Sequence, residues 1–164
     1  MIKDKPKIGL ASSFAAGSIY ANAVNTVKTA ASFAELGFET HLITRSPDRE
    51  RIDLNHLKDI YGTPTLPKWW TLPRWCKKHF LFGLVSAVRL HRLKVDLVIS
   101  RDYATPIFTA LAGIPTVMET HAHEGFQYRW FKWATKATRL RSFRLLVTIS
   151  TVLRDYYIAI GVPP

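Results

Sequence analysis

Short apolar runs alternate with stretches of helical periodicity, glycines stand just past those stretches, and no internal repeat or linker interrupts the pattern. Together these predict an α/β domain: a mostly parallel sheet with helices on both faces, because parallel strands need helical crossovers. Residues 8–13 read as the first strand. Residues 17–36 read as a helix with Tyr20, Val24, Val27, Ala31 and Ala34 on one stripe, and Gly37 is placed to end it. Residues 39–44 form the next strand and residues 53–61 a short helix closed by Gly62. From 63 to 76 the prolines and tryptophans forbid a long regular element, so one short strand and an irregular loop are expected there. Residues 80–93 read as a helix with Leu81, Leu84, Val85 and Val88 inward, followed by a strand over 95–100. Thr105 can cap a helix that starts at Pro106 and stops at Gly113. A strand over 115–120, a helix over 126–140, a strand over 145–150 and a last helix capped by Ser150 or Thr151 complete the chain.

Composition narrows the class. Apolar residues are 48% and charged residues 21% of the 164, which is globular and not disordered. No apolar run is long enough to span a membrane, and the polar opening 1–7 holds no apolar signal segment, so export is not indicated. The single cysteine, Cys76, cannot form an internal disulfide, which suits a reducing cytoplasm. The net charge of +11 is concentrated: residues 66–94 hold seven Lys/Arg and residues 126–144 six, with no Asp/Glu in either. All five tryptophans lie in the same two segments. Trp69, Trp70, Trp75, Lys77, Lys78, Trp130, Lys132 and Trp133 are therefore expected to form a surface for an anionic membrane or an acceptor. Nucleic-acid binding and a buried domain–domain interface are the competing readings.

Chemistry in a parallel sheet sits beyond the carboxyl ends of its strands, here near 12–18, 44–47, 100–102, 120–125 and 150–151. The first of these, Ser12-Ser13-Phe14-Ala15-Ala16-Gly17-Ser18, has small residues that let backbone N–H groups approach a phosphate or simply let the turn pack closely. No G-x-G-x-x-G, P-loop or G-x-S-x-G sequence is present, which weighs against a nicotinamide enzyme, a P-loop NTPase and an α/β-hydrolase. At the strand end Glu119-Thr120-His121-Ala122-His123-Glu124-Gly125, alternation puts Glu119, His121 and His123 on one side. Such a cluster can bind metal, serve an active site or hold a loop by hydrogen bonds. A zinc site would need ligands from a second segment, and no other histidine pair supplies them. Arg101-Asp102 ends another strand; the arginine suits a phosphate or carboxylate, and the aspartate can accept a sugar hydroxyl or close a local salt bridge.

Five passages, in order, resemble the acceptor-side half of the family 4 (group 1) glycosyltransferases of the GT-B fold. Lys7-Ile8-Gly9-Leu10 opens the first strand. Residues 30–44 resemble the family's helix followed by Leu-Gly-His-x-Val, and 95–102 its Pro-Asp-Val-Val-x-x-Arg strand. Residues 113–121 resemble Gly-x-Pro-x-Val-x-x-x-His, and 147–164 resemble Val-Ser-x-x-Leu leading to Gly-x-Pro. The resemblance implies a Rossmann-like N-terminal domain over 1–164, one half of a GT-B fold, with the C-terminal donor-binding domain absent from these residues and supplied in cis or by a separate chain. It implies transfer of a sugar from a nucleotide-sugar to a glycan or lipid-linked acceptor with retention of configuration, at the inner face of the membrane, peripheral and cytoplasmic. No cofactor, metal or nucleic acid is implied. By the same resemblance His121 is the catalytic-site residue, and Arg101, Asp102, Glu119, His123 and Glu124 bind substrate. Gly17 and Ser18 then face the donor phosphates. The family often has two adjacent glycines in the first loop; here Gly17 follows Ala15-Ala16. A basic membrane- or nucleic-acid-binding module without catalysis is the alternative class.

Overall fold

The structure, a computed structural model, describes residues 5–47, 53–121 and 128–164. Six parallel strands form one sheet: β1 (Lys7–Ala15), β2 (Glu39–Arg45), β3 (Lys68–Leu72), β4 (Leu97–Ser100), β5 (Thr116–Thr120) and β6 (Phe143–Thr148). Their spatial order is β3-β2-β1-β4-β5-β6, the doubly wound, Rossmann-like arrangement. The helices are α1 (Ala21–Glu35), α2 (Leu54–Tyr61), α3 (His79–Arg92), α4 (Ala104–Leu111), α5 (Tyr128–Ala137) and α6 (Thr151–Ala159), with a 3₁₀ turn over Arg74–Lys77.

Helices pack on both faces of the sheet. α1 and α2 bury Ala23, Val27, Leu57 and Tyr61 against Ile8, Leu10 and Leu42. On the other face Phe82 and Leu90 of α3 meet Ala11, Ile43 and Val98, and further along Ile107 of α4 and Ala134 of α5 meet Met118 and Phe143. Each large side chain so removed from water contributes about 1.5–3 kcal/mol. Alternation along the strands sorts these contacts, since neighbours such as Leu10 and Ala11 point to opposite faces. α1 and α2 cover only the β1–β3 half of their face. Leu145 and Val147 of β6 are therefore left 55% and 38% exposed.

The order of elements and the topology follow the sequence reading, and positive-φ glycines 37, 62, 113 and 161 stand at the helix ends as expected. Two helices differ in their facing. α3 turns Leu84 and Val88 outward, 37% and 45% exposed, and points Phe82, Gly83, Ser86, Ala87 and Leu90 inward. The reason is the crossing with α4: a Cβ on Gly83 would lie 2.8 Å from the Ala104 carbonyl carbon and 2.9 Å from the Thr105 nitrogen. Only small residues fit that approach, so they take the inner face. α5, whose apolar stripe the sequence draws through Phe126, Trp130, Trp133, Ala137 and Leu140, is likewise rotated, with Phe131, Ala134 and Ala137 buried and Trp133 53% exposed. α1 begins at Ala21, and Tyr20, expected on its inner stripe, is 77% exposed.

Candidate active site at the switch point

The strand order reverses between β1 and β4, which leaves a crevice beyond their carboxyl ends. On the β1 side the strand runs to Ala15 and turns at once: the Ser18 N–H donates to the Ala15 carbonyl at 3.0 Å, and Gly17 takes φ 84. A left-handed residue third in such a turn is what glycine allows at no steric cost. The Tyr61 hydroxyl donates to the Ser18 carbonyl at 3.0 Å and pins the turn to the end of α2. Gly17 and Ser18 were expected at a helix N-terminus. The structure instead spends Gly17 on the turn and starts the helix four residues later, at Ala21.

On the β4 side three predicted residues come together. β4 and β5 pair with Ile99 opposite Val117, and the two-residue period carries Arg101 to Glu119. Arg101 Nε donates to Glu119 Oε2 at 2.8 Å and Nη2 to Oε1 at 2.9 Å, a bidentate fork with side chains only 13% and 21% exposed. His121 Nε2 lies 2.8 Å from the same Oε1. A carboxylate only accepts, so Nε2 carries the proton, and in the neutral ring Nδ1 is left as an acceptor. His121 is 47% exposed, within reach of a bound molecule. Arg101 Nη1 is buried and has no partner among the described residues. The arrangement therefore offers an oriented imidazole acceptor beside a guanidinium with a spare donor.

Asp102 has a different task from the one expected. It is 6% exposed and takes donors from the Ala104 amide at 3.0 Å, the Thr105 amide at 2.7 Å and the Thr105 hydroxyl at 2.9 Å, with the Ser100 hydroxyl oxygen 3.1 Å away. Its side chain, in place of that of Thr105, accepts the first amides of α4, and its burial holds it away from a sugar hydroxyl. Burial pushes its pKa up, against the pull of those hydrogen bonds. At the end of β5, the Thr120 hydroxyl lies 3.1 Å from that of Tyr157 and 3.4 Å from that of Tyr103, which ties the strand end to α6 and α4.

His123 and Glu124 lie outside the described residues. Among the described residues no group of three His, Cys, Asp or Glu side chains is arranged to hold a metal ion. The expected Trp/basic surface is divided. Trp69 donates to the Thr44 hydroxyl at 2.8 Å and stacks near Tyr61, while Trp70 donates to His41 Nδ1 at 3.2 Å beneath the Arg89 guanidinium at 3.9 Å. Trp130 packs into the α4–α5 core. These three are half-buried packing residues: Trp69 and Trp70 lie on the edge strand β3 and cover the ends of both layers, and Trp130 fills the space between α5 and α4. Trp75, Lys77, Lys78, Lys132 and Trp133 are exposed. Tyr61 was missed as a site residue; its place at the end of a helix facing the first strand's turn was the only signal for it.

Among the described residues no helix is long and apolar enough to cross a membrane. Compared with known proteins, the chain matches no curated protein. The model of the family described as Glycosyltransferase Family 4 matches residues 23–164, which include most of α1, the Arg101–Glu119–His121 cluster and α6. With a doubly wound parallel sheet and a family match over most of its length, this chain belongs to Glycosyltransferase Family 4.

Proposed function

We propose that this chain is the acceptor-binding half of a retaining glycosyltransferase that moves a sugar from a nucleotide-sugar to a glycan or lipid-linked acceptor at an anionic membrane surface on the cytoplasmic side. The observation that carries the reading is the Arg101–Glu119–His121 cluster at the carboxyl ends of β4 and β5, beside the crevice. His121, its Nε2 proton held by Glu119, accepts a hydrogen bond from a sugar hydroxyl through Nδ1. That contact strengthens as the sugar gains positive character. Arg101 holds Glu119 in place and offers Nη1 to an anionic group of the substrate. The leaving diphosphate is stabilised by helix ends and basic groups without a metal ion. A donor-binding domain, in cis or on another chain, completes the site, so residues 1–164 alone are expected to bind nucleotide-sugars weakly.

The test is His121→Ala in the complete enzyme. Loss of one transition-state contact lowers kcat about 10²–10³-fold, with an unchanged melting temperature. Near-normal turnover, or unfolding of the variant, overturns the assignment. An inverted anomeric centre in the product, read by NMR, overturns retention.

A further inference from the structure

The 3₁₀ turn and α3, α4 and α5 form one continuous layer on one face of the sheet. The Phe80 ring of α3 joins it, 5.1 Å from Phe108 of α4 and 5.9 Å from Trp130 of α5. That layer exposes large apolar side chains: Trp75 is 62% exposed, Phe80 43%, Leu84 37%, Val88 45%, Leu111 63% and Trp133 53%. Phe80, Leu84 and Val88 are four residues apart and make one stripe along α3. Lys78, just before α3, Arg92 of α3 and Lys136 of α5 are exposed, and the Lys136 ammonium sits 5.1 Å from the Trp133 ring.

Charge separates this layer from the other helices. Neither the 3₁₀ turn nor α3, α4 or α5 contains an Asp or Glu, whereas α1, α2 and α6 carry Glu35, Asp59 and Asp155. A protein interface core is depleted of lysine, and a nucleic-acid platform needs ring faces in series, which the Leu84–Val88 stretch lacks. Tryptophan beside lysine over an aliphatic stripe is the pattern of the lipid headgroup region.

We infer that the outer face of the α3–α4–α5 layer is the plane that lies on an anionic bilayer, with Trp75, Phe80 and Trp133 reaching between headgroups. The inference rests on the reading that the enzyme works at a membrane surface, and it corrects which residues make the contact: Trp69, Trp70 and Trp130 serve packing. The full chain is co-sedimented with phosphatidylcholine vesicles, with and without 30 mole per cent (about one lipid in three) phosphatidylglycerol, at low and high salt. It is expected to pellet only with the anionic vesicles and to be released by salt. Trp75→Ala/Trp133→Ala and Lys78→Glu/Lys136→Glu, each checked for native near-ultraviolet dichroism, are expected to bind about ten-fold more weakly or worse. Wild-type protein that ignores anionic vesicles overturns the membrane reading itself. Wild-type binding that both double variants retain overturns the docking plane alone. Displacement from vesicles by single-stranded DNA at lower concentration than by free phosphatidylglycerol vesicles overturns it in favour of a nucleic-acid surface.

Discussion

Replacing Glu119 with Gln tests the cluster at its centre. Gln keeps the shape of the side chain but loses the charge and turns one acceptor into a donor, facing the Arg101 fork now held at 2.8 and 2.9 Å. Removing one partner of a fully buried ion pair costs about 3–5 kcal/mol. Here the side chains retain 13% and 21% exposure, so water screens part of the loss and about 2–3 kcal/mol is expected. For a chain of this size that is about 5–10 °C in melting temperature. The loss must be shared with Arg101. In a cycle of Glu119→Gln, Arg101→Met and the double variant, followed by urea denaturation, coupling of about 1.5 kcal/mol or more is expected. Single effects that add to within about 0.5 kcal/mol would refute the bidentate contact. Turnover of the complete enzyme provides a second readout. Glu119→Gln releases the His121 tautomer, so kcat falls together with stability, whereas Arg101→Met also raises KM if Nη1 meets an anionic substrate group.

Three further outcomes follow from the packing and the hydrogen bonds. Gly83→Ala puts a methyl group against the Ala104–Thr105 backbone, and calorimetry should show a loss of about 1–3 kcal/mol; an unchanged melting temperature would mean that α3 and α4 do not cross as described. Asp102→Ala leaves donors at the start of α4 without an acceptor and should cost about 1–2 kcal/mol while the KM of the complete enzyme stays near that of the wild type; a large rise in KM at unchanged stability would return Asp102 to substrate binding. Burial holds the His41 pKa below its ordinary 6.5, and Nδ1 already accepts from Trp70. Because the folded pKa lies below the unfolded one, this stabilisation is complete above pH 6.5 and is lost as pH falls towards the folded value. The urea midpoint should drop between pH 7 and 5, and His41→Asn should flatten that slope; a pH-independent wild-type midpoint contradicts it.

Much of this architecture is legible in the sequence because local signals agree there. Apolar runs such as Leu42-Ile43 between polar ends, and glycines after amphipathic stretches, specify strands and helix stops without tertiary help. α3 shows where such reading ends. It is apolar on nearly every side, so periodicity names no inner face, and the close passage of α4 decides the matter in favour of Gly83 and Ala87. Asp102 and Thr105 both suit a helix cap. Pro106 favours Thr105 by its liking for the first helical position, yet the helix extends back to Ala104 because Asp102 can take several donors at once. The Arg101–Glu119 pair needed only the register of β4 on β5, which no single strand encodes. His121 was readable as a residue at a strand end, but not as one whose ring is turned by Glu119.

The strand order also dictates when the crevice can exist. Ser100 bonds to the Ala11 carbonyl across 89 residues of chain, whereas β1 reaches β2 through a single helix. Closing a loop of that length costs about 4 kcal/mol in chain entropy before any contact across the seam offsets it. β1, β2, α1 and β3 can therefore assemble first as a local unit, and the β1–β4 seam forms only when β4 arrives from the far side. During synthesis the substrate cleft is thus a late product of folding. Under stress the same seam divides two locally connected halves, so the chain can lose its cleft while each half keeps most of its own contacts.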